Sequence, residues 1–208
     1  MPRGLKPFNI FNHPFFPNRW NVSNKSNHPK NISSTTPIQA VQVAMLRVAV
    51  MADTHDNIPL IKKAVKKINK LNVGLTVHCG DFSAPFAVDP YEALKTSMVS
   101  VYGNNDAEKE LIRVRLNGMG KEVKGRFALL SVEGVKVAVT HGDEAALLTM
   151  LEDSGVKLIL HGHTHQFEVK HGEDKVVLNP GEVCGYLTGK PTLALVKLPA
   201  IEVKMIKL

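Results

Sequence analysis

Asp53-Thr54-His55, Gly80-Asp81, Gly103-Asn104-Asn105-Asp106, His141-Gly142 and Gly162-His163-Thr164-His165 are the places where this chain concentrates residues able to do chemistry. Carboxylate, imidazole and amide oxygen are ligands for divalent ions, and glycines beside them let the backbone turn sharply and approach a bound group closely. A single Asp-x-His or Gly-Asp arises by chance in many sequences, whereas five such clusters in this order point to one site. The candidate metal ligands are Asp53, His55, Asp81, Asn104, His141, His163 and His165. Side chains two residues apart in an extended segment point the same way, so the spacing predicts that Asp53 converges with His55, and His163 with His165. With one carboxylate shared, each of two ions receives four protein bonds and keeps room for water and substrate. That open set favours Mn2+ or Ni2+, with Fe2+, Co2+ or Zn2+ also compatible, over a closed structural zinc site.

Only Asp53 and Asp81 among these seven are anionic, so two divalent ions leave the cluster with surplus positive charge. That suits an anionic phosphoryl group. Two ions about 3.5–4 Å apart hold a bridging hydroxide at neutral pH and stabilise both the attacking and the leaving oxygen. The implied chemistry is hydrolysis of a phosphate ester by direct in-line attack, without a covalent enzyme intermediate.

The elements that must position these residues alternate between strand and helix. Leu46 to Met51 is an apolar run ending at Asp53, which predicts a buried strand that delivers its carboxyl end to the site. Asp56 or Asn57 can cap the following helix, with Pro59 in its first turn. Ile61, Ala64, Val65, Ile68 and Leu71 recur at helical spacing, and Lys62, Lys63, Lys66, Lys67 and Lys70 fall on the other faces as a solvated surface. A strand at 74–78, a helical stretch near 90–96, a strand at 98–102 and a helix near 107–116 follow. Strands at 127–132 and 135–140 are joined by Glu133-Gly134, a two-residue hairpin signal. A helix at 143–153, a strand at 157–161 and strands near 166–171, 174–178, 192–198 and 201–206 complete the pattern. Four apolar strands ending in Asp53, Asp81, Asn104 and His141 are the sequence form of a site on the carboxyl edge of a sheet.

Composition narrows the class. At 208 residues the chain can bury one core without disulfides or structural metal. Cys79 and Cys184 are too few and too separated for a zinc knuckle or a secreted scaffold, and are read as reduced thiols of a cytoplasmic protein. No apolar run approaches the roughly 18 residues of a membrane span. Residues 1–44 hold five of the 26 basic side chains and none of the 19 acidic ones, so the net charge of +7 falls to +2 over the remainder. Bulk charge therefore does not support a nucleic-acid partner. Residues 1–44, broken by prolines and without periodicity, are expected to be a disordered leader or a mis-called extension ahead of Met45, with residues 45–208 forming the domain. Nothing in the sequence limits self-association into a homo-oligomer.

The clusters resemble those of the calcineurin-like metallophosphoesterase superfamily, whose pattern runs D-x-H, G-D, G-N-H-[D/E], a further histidine and G-H-x-H. The resemblance covers residues 46 to about 206. It implies an α/β fold in which a two-sheet β-sandwich is flanked by helices in four αββα layers. It also implies that Asp53, His55 and His165 hold one metal, that Asn104, His141 and His163 hold the other, and that Asp81 bridges. Asp81, Asn104 and His141 are the catalytic residues it suggests, and the substrate is a small phosphodiester. Asn105 stands where many members carry a histidine that contacts the phosphate. That departure, the length of the domain and Leu178-Asn179-Pro180-Gly181 are similar to the small YfcE-like phosphodiesterase branch. An amide cannot protonate a leaving alkoxide, so diesters with good leaving groups are the expected substrates, with Asn105 as a substrate contact. The alternatives are a catalytically weak scaffold resembling the retromer subunit of this fold, or a phosphomonoesterase or nuclease of the same superfamily. His78 and His161 are expected in core or supporting roles, Asp106 and Asp143 as helix caps, and Cys79 as a buried thiol.

Overall fold

Strand β1 (Leu46–Met51) alternates its side chains between two hydrophobic layers, and that alternation organises the molecule. Val48, Val50 and Ala52 face one layer, while Ala49 and Met51 face another. In the computed structural model, which describes residues 45–208, β1 is a central strand of a six-stranded sheet ordered β11-β10-β1-β2-β3-β4. Its members are β2 (Leu75–His78), β3 (Ser97–Ser100), β4 (Glu122–Val123), β10 (Thr192–Leu198) and β11 (Glu202–Lys207). Strands β1 to β4 run parallel, and β10 pairs antiparallel with both β1 and β11.

A second sheet has the order β5-β6-β7-β9-β8, formed by β5 (Phe127–Val132), β6 (Val135–Thr140), β7 (Leu158–Leu160), β8 (Phe167–His171) and β9 (Val176–Pro180). The two sheets face each other across Val48, Val50, Val77, Val137, Val139, Leu158, Leu160 and Leu178, all buried. Helix α1 (Ile58–Ile68), a 3-10 segment (Pro85–Ala93) and α2 (Lys109–Gly118) cover the outer face of the first sheet, where Ile61, Ile68, Tyr91, Ile112 and Leu116 are buried. Helix α3 (Ala145–Glu152) covers the second sheet through Leu151, against Ala138 and Ile159. Two mixed sheets with helices outside are the α/β sandwich that the resemblance implied.

Most elements fall where periodicity predicts them, and the departures have physical causes. The turn between β5 and β6 is the predicted hairpin, with φ of 49° at Glu133 and 76° at Gly134, the double left-handed turn that matches strand twist. Asn57, not Asp56, caps α1: its side chain accepts from Leu60 N–H, while Asp56 Oδ1 accepts from Ala84 N–H. The helical stretch expected at 90–96 is the 3-10 segment 85–93, because Pro90 removes an N–H that a full α-helix requires. Strand β4, two residues long, carried no signal. Helix α2 starts at Lys109, so Asp106 is not its cap, and Asp143 does not cap α3 but pairs with Arg126. The expectation for residues 1–44 lies outside the described residues.

Candidate metal centre

The parallel order β1-β2-β3 and β6-β7-β9 brings six strand carboxyl ends to one rim of the sandwich. The loops that follow are laced together by backbone hydrogen bonds. Asp53 N–H donates to Gly80 carbonyl, and Thr54 and His55 N–H both donate to Asp81 carbonyl, so the first two clusters lie side by side. His163 N–H donates to Asp53 Oδ1 and Oδ2 at 3.3 and 3.1 Å, which ties the second sheet to the first. The loop carrying His163 and His165 is held by Asn179, whose amide donates to Gly162 carbonyl and to Thr164 Oγ1.

Convergence arises differently from the sequence expectation. Asp53, His55, Asp81, His163 and His165 are not extended; their φ angles are 52°, 37°, 63°, 72° and 63°. Left-handed backbone at a residue with a Cβ costs on the order of 1–3 kcal/mol and persists only where the surroundings enforce it. Asp53 and His55 approach within 3.9 Å because their loop curls, not because side chains alternate along a strand, whereas His163 and His165 diverge, His163 to Asn104 and His141 and His165 to Asp53 and His55. Two glycines make room. A Cβ on Gly103 would lie 2.0 Å from Asp81 Oδ1, and one on Gly162 would lie 2.7 Å from Asp53 Oδ2.

All seven predicted side chains gather on this rim. Asp53, His55 and His165 form one close group and Asp53, Asp81 and His141 a second, with ligand atoms within 4.8 Å of one another in each. Asp81 Oδ2 lies between them, 3.4 Å from His55 Nε2 and 3.3 Å from His141 Nε2. Asn104 Oδ1 is 3.2 Å from His163 Nδ1, and the His163 ring lies 5.2 Å from that of His141.

The donor set fits cations on its own chemistry. His141 Nδ1 is 2.9 Å from Cys79 carbonyl, which can only accept, so Nδ1 carries the proton and Nε2 is left with a lone pair. That Nε2 is buried, has no hydrogen-bond partner and faces Asp81. His165 repeats the arrangement: Nδ1 donates to Glu182 Oε2 at 2.7 Å, and Nε2 faces Asp53 Oδ1 at 3.6 Å and His55 Nε2 at 3.3 Å. Lone pairs turned on carboxylates are stable only with a positive charge between them, whether a proton or a metal ion. Burial pushes the Asp53 carboxyl up to about 7, against the pull of His141 and His165. At Asp81 burial acts upward too, but the His141 imidazole 3.3 Å away and the hydrogen bonds from Asn105 outweigh it and hold the carboxyl well below the usual range. Burial likewise opposes charge on His141, yet Asp81 raises its pKa above the ordinary value.

Among the supporting residues, Asp106 is one that sequence reasoning misplaced. Asp106 accepts from Asp81 and Gly103 N–H through Oδ2, and from Ser83 N–H through Oδ1, clamping two ligand loops. Asn105, expected to contact substrate, directs its backbone N–H and its side-chain amide at Asp81, at 2.9 and 2.8 Å. His78 is a neutral core residue, stacked on Phe82 and driven down to about 3 by burial. His161 is buried beside Gly162, and Cys79 is a buried thiol that burial pushes up. Glu182 was missed. Its signal was a lone acid inside the otherwise uncharged stretch Val176–Cys184. Beside His165 lies a cavity of about 300 Å³, lined by Phe167, Thr188, Lys190, Met205 and Lys207 among others.

Residues 46–200 match the calcineurin-like phosphoesterase superfamily domain, and the chain belongs to that superfamily. The class so defined is a metal-dependent phosphoesterase, an enzyme. Among its relatives, the chain is 35% identical over 165 residues to a phosphodiesterase of Methanocaldococcus jannaschii, covering 78% of this chain and 99% of that protein. It is 30% identical over 163 residues to a probable metallophosphoesterase of the same organism, covering 74% and 76%. Its fold matches the solved structure of an archaeal phosphodiesterase with a TM-score of 0.75 at 35% identity, covering 78% of this chain and all of that one. A phosphoesterase of E. coli, at 14% identity, TM-score 0.58 and coverage of 77% and 98%, shares the fold.

Proposed function

We propose that this protein is a dinuclear phosphodiesterase that hydrolyses small phosphodiesters in the cytoplasm. The observation that carries the reading is Asp81 Oδ2, set within 3.4 Å of one histidine from each of two carboxylate–imidazole groups. Asp53, His55 and His165 would hold one ion, Asn104, His141 and His163 the other, with Asp81 shared. Mn2+ or Ni2+ suits this mixed nitrogen and oxygen set. Once bound, two such ions would supply hydroxide at neutral pH and offset charge on the phosphoryl oxygens.

The chain's own residues do the rest. Asp106 and Asn105 fix the Asp81 carboxylate, and His141 and His165 each spend Nδ1–H on an internal acceptor so that Nε2 faces the centre. Asn105 directs its backbone N–H and one amide N–H at Asp81, and an amide is not a general acid, so no acid stands at the position where many superfamily members carry histidine. The enzyme therefore favours diesters whose leaving group departs without protonation, aryl esters above alkyl ones. The cavity beside His165 offers apolar walls at Phe167 and Met205 and cations at Lys190 and Lys207 to an ester substituent. The M. jannaschii relative, a phosphodiesterase by name and nearly matched end to end, supports the enzyme over the scaffold alternative.

The test is hydrolysis of bis(p-nitrophenyl) phosphate and p-nitrophenyl phosphate by chelator-stripped full-length protein, with and without Mn2+ or Ni2+. Expected are metal-restored activity faster on the diester, and a loss of at least about 100-fold in Asp81→Ala. Folded protein that is inactive with every divalent ion would overturn the reading in favour of a scaffold. Faster turnover of the monoester would make it a phosphomonoesterase.

A further inference from the structure

The carboxylate of Glu182 is fully buried, and nothing in the proposed chemistry uses it. It lies at the back of His165, on a segment held to the end of β1 by Val183 N–H to Ala52 carbonyl and Cys184 N–H to Asp53 carbonyl. His165, Glu182 and Cys184 have ligand atoms within 4.8 Å of one another, so a further ion is one account of the cluster. The hydrogen-bond inventory rules against it. Oε1 accepts from Thr188 N–H and Oγ1 at 2.6 Å each, Oε2 accepts from His165 Nδ1 at 2.7 Å and from Cys184 Sγ at 3.1 Å, and Leu187 N–H lies 3.1 Å from both oxygens. Five donors meet a group with about four lone-pair directions, so no lone pair is left for a cation.

We infer that Glu182 is the positioning residue for His165: by accepting from Nδ1–H it fixes the tautomer whose Nε2 lone pair faces Asp53 and His55. The inference rests on the two-ion reading of the site, in which His165 Nε2 is a ligand atom. An imidazole has one proton to place when neutral. A buried carboxylate at Nδ1 decides the placement, because the opposite tautomer would set two acceptors against each other at 2.7 Å. Glu182 therefore selects the only neutral form of His165 that can bind a cation at the rim. The same carboxylate staples the loop bearing Tyr186 and Leu187, which are 62% and 73% exposed, so loop support and ligand orientation must be separated by experiment.

Glu182→Gln separates them. The amide oxygen is drawn to the three loop donors, leaving the NH2 group opposite Nδ1, which must then become an acceptor. His165 shifts to the Nε2–H tautomer, and its lone pair leaves the ion position. Long-range nitrogen–proton NMR on the metal-free full-length protein reads this directly: His165 is Nδ1–H in the parent protein and Nε2–H in the variant. Equilibrium dialysis with Mn2+ then shows affinity weakened about 10- to 100-fold. Thr188→Val, which removes a loop donor and leaves Oε2 with His165, keeps the Nδ1–H tautomer and parental affinity. An unchanged tautomer with affinity within about twofold in Glu182→Gln would overturn the inference, as would an equal loss of affinity in Thr188→Val. If Glu182→Gln does not fold, an Nε2–H signal for His165 in the parent protein overturns it alone. None of these readouts is hydrolysis, so an inactive parent protein defeats the proposed activity and leaves the tautomer result standing.

Discussion

Asp53 and Asp81 are chemically identical carboxyl groups with opposite fates. Both are buried, but Asp81 receives two hydrogen bonds from Asn105 and stands against His141, whereas Asp53 is solvated only by His163 N–H and more distant imidazoles. Asp81 is therefore ionised throughout, and Asp53, with its carboxyl pushed up to about 7, must release a proton when a cation binds. Affinity for Mn2+ should rise with pH up to about 7 and then flatten. Calorimetry at pH 6 in two buffers of different ionisation enthalpy should report net proton release, and release of no protons would place the ion elsewhere. For the metal-free fold the signs oppose. The stability contributed by Asp53 is complete below its ordinary 3.8 and is lost as pH rises through about 7. His78, driven down to about 3, contributes stability that is complete above its ordinary 6.5 and is lost as pH falls toward 3. The two compensate between those limits, so the rise of cation affinity with pH is the cleaner observable.

At the scale of elements, the ligand loops depend on close backbone approach, and glycine is required where another element occupies the space a Cβ would take. Gly103, at the end of the β3 arm, and Gly118, at the end of α2, make a matched pair. In Gly103→Ala the methyl would meet Asp81 Oδ1 at 2.0 Å and Asp81 N at 2.7 Å. The expected outcome is a loss of about 1–3 kcal/mol in urea unfolding and a fall in metal affinity, because the loops must separate. Gly118→Ala places its methyl in open space within a helix and should add about 0.5–1 kcal/mol, with affinity unchanged. Equal effects of the two substitutions would show that the Gly103 loop is not tightly packed against Asp81.

For the whole molecule, the rim unites two sheets that otherwise meet through apolar side chains, so cations bound there as proposed would cross-link the sandwich. Chelation should lower the melting temperature. Ions at 100 times their dissociation constant contribute about 2.7 kcal/mol per site, which for a domain of this size is roughly 5–10 °C. Calorimetry in chelator and in Mn2+ measures it, and an unchanged melting point would exclude ions that bridge the sheets. No helix among the described residues is long and apolar enough to cross a membrane. By itself the sequence determined the strand-and-helix order apart from β4 and the 3-10 segment, the Glu133-Gly134 hairpin and the seven residues that gather on the rim, because period and ligand type are local properties. The sheet order β11-β10-β1-β2-β3-β4, the left-handed backbone of five site residues, the clamp made by Asp106 and the place of Glu182 behind His165 were decided only in three dimensions. Each of those depends on which distant loop a side chain meets when strand ends are brought together, and spacing along the chain does not encode that meeting.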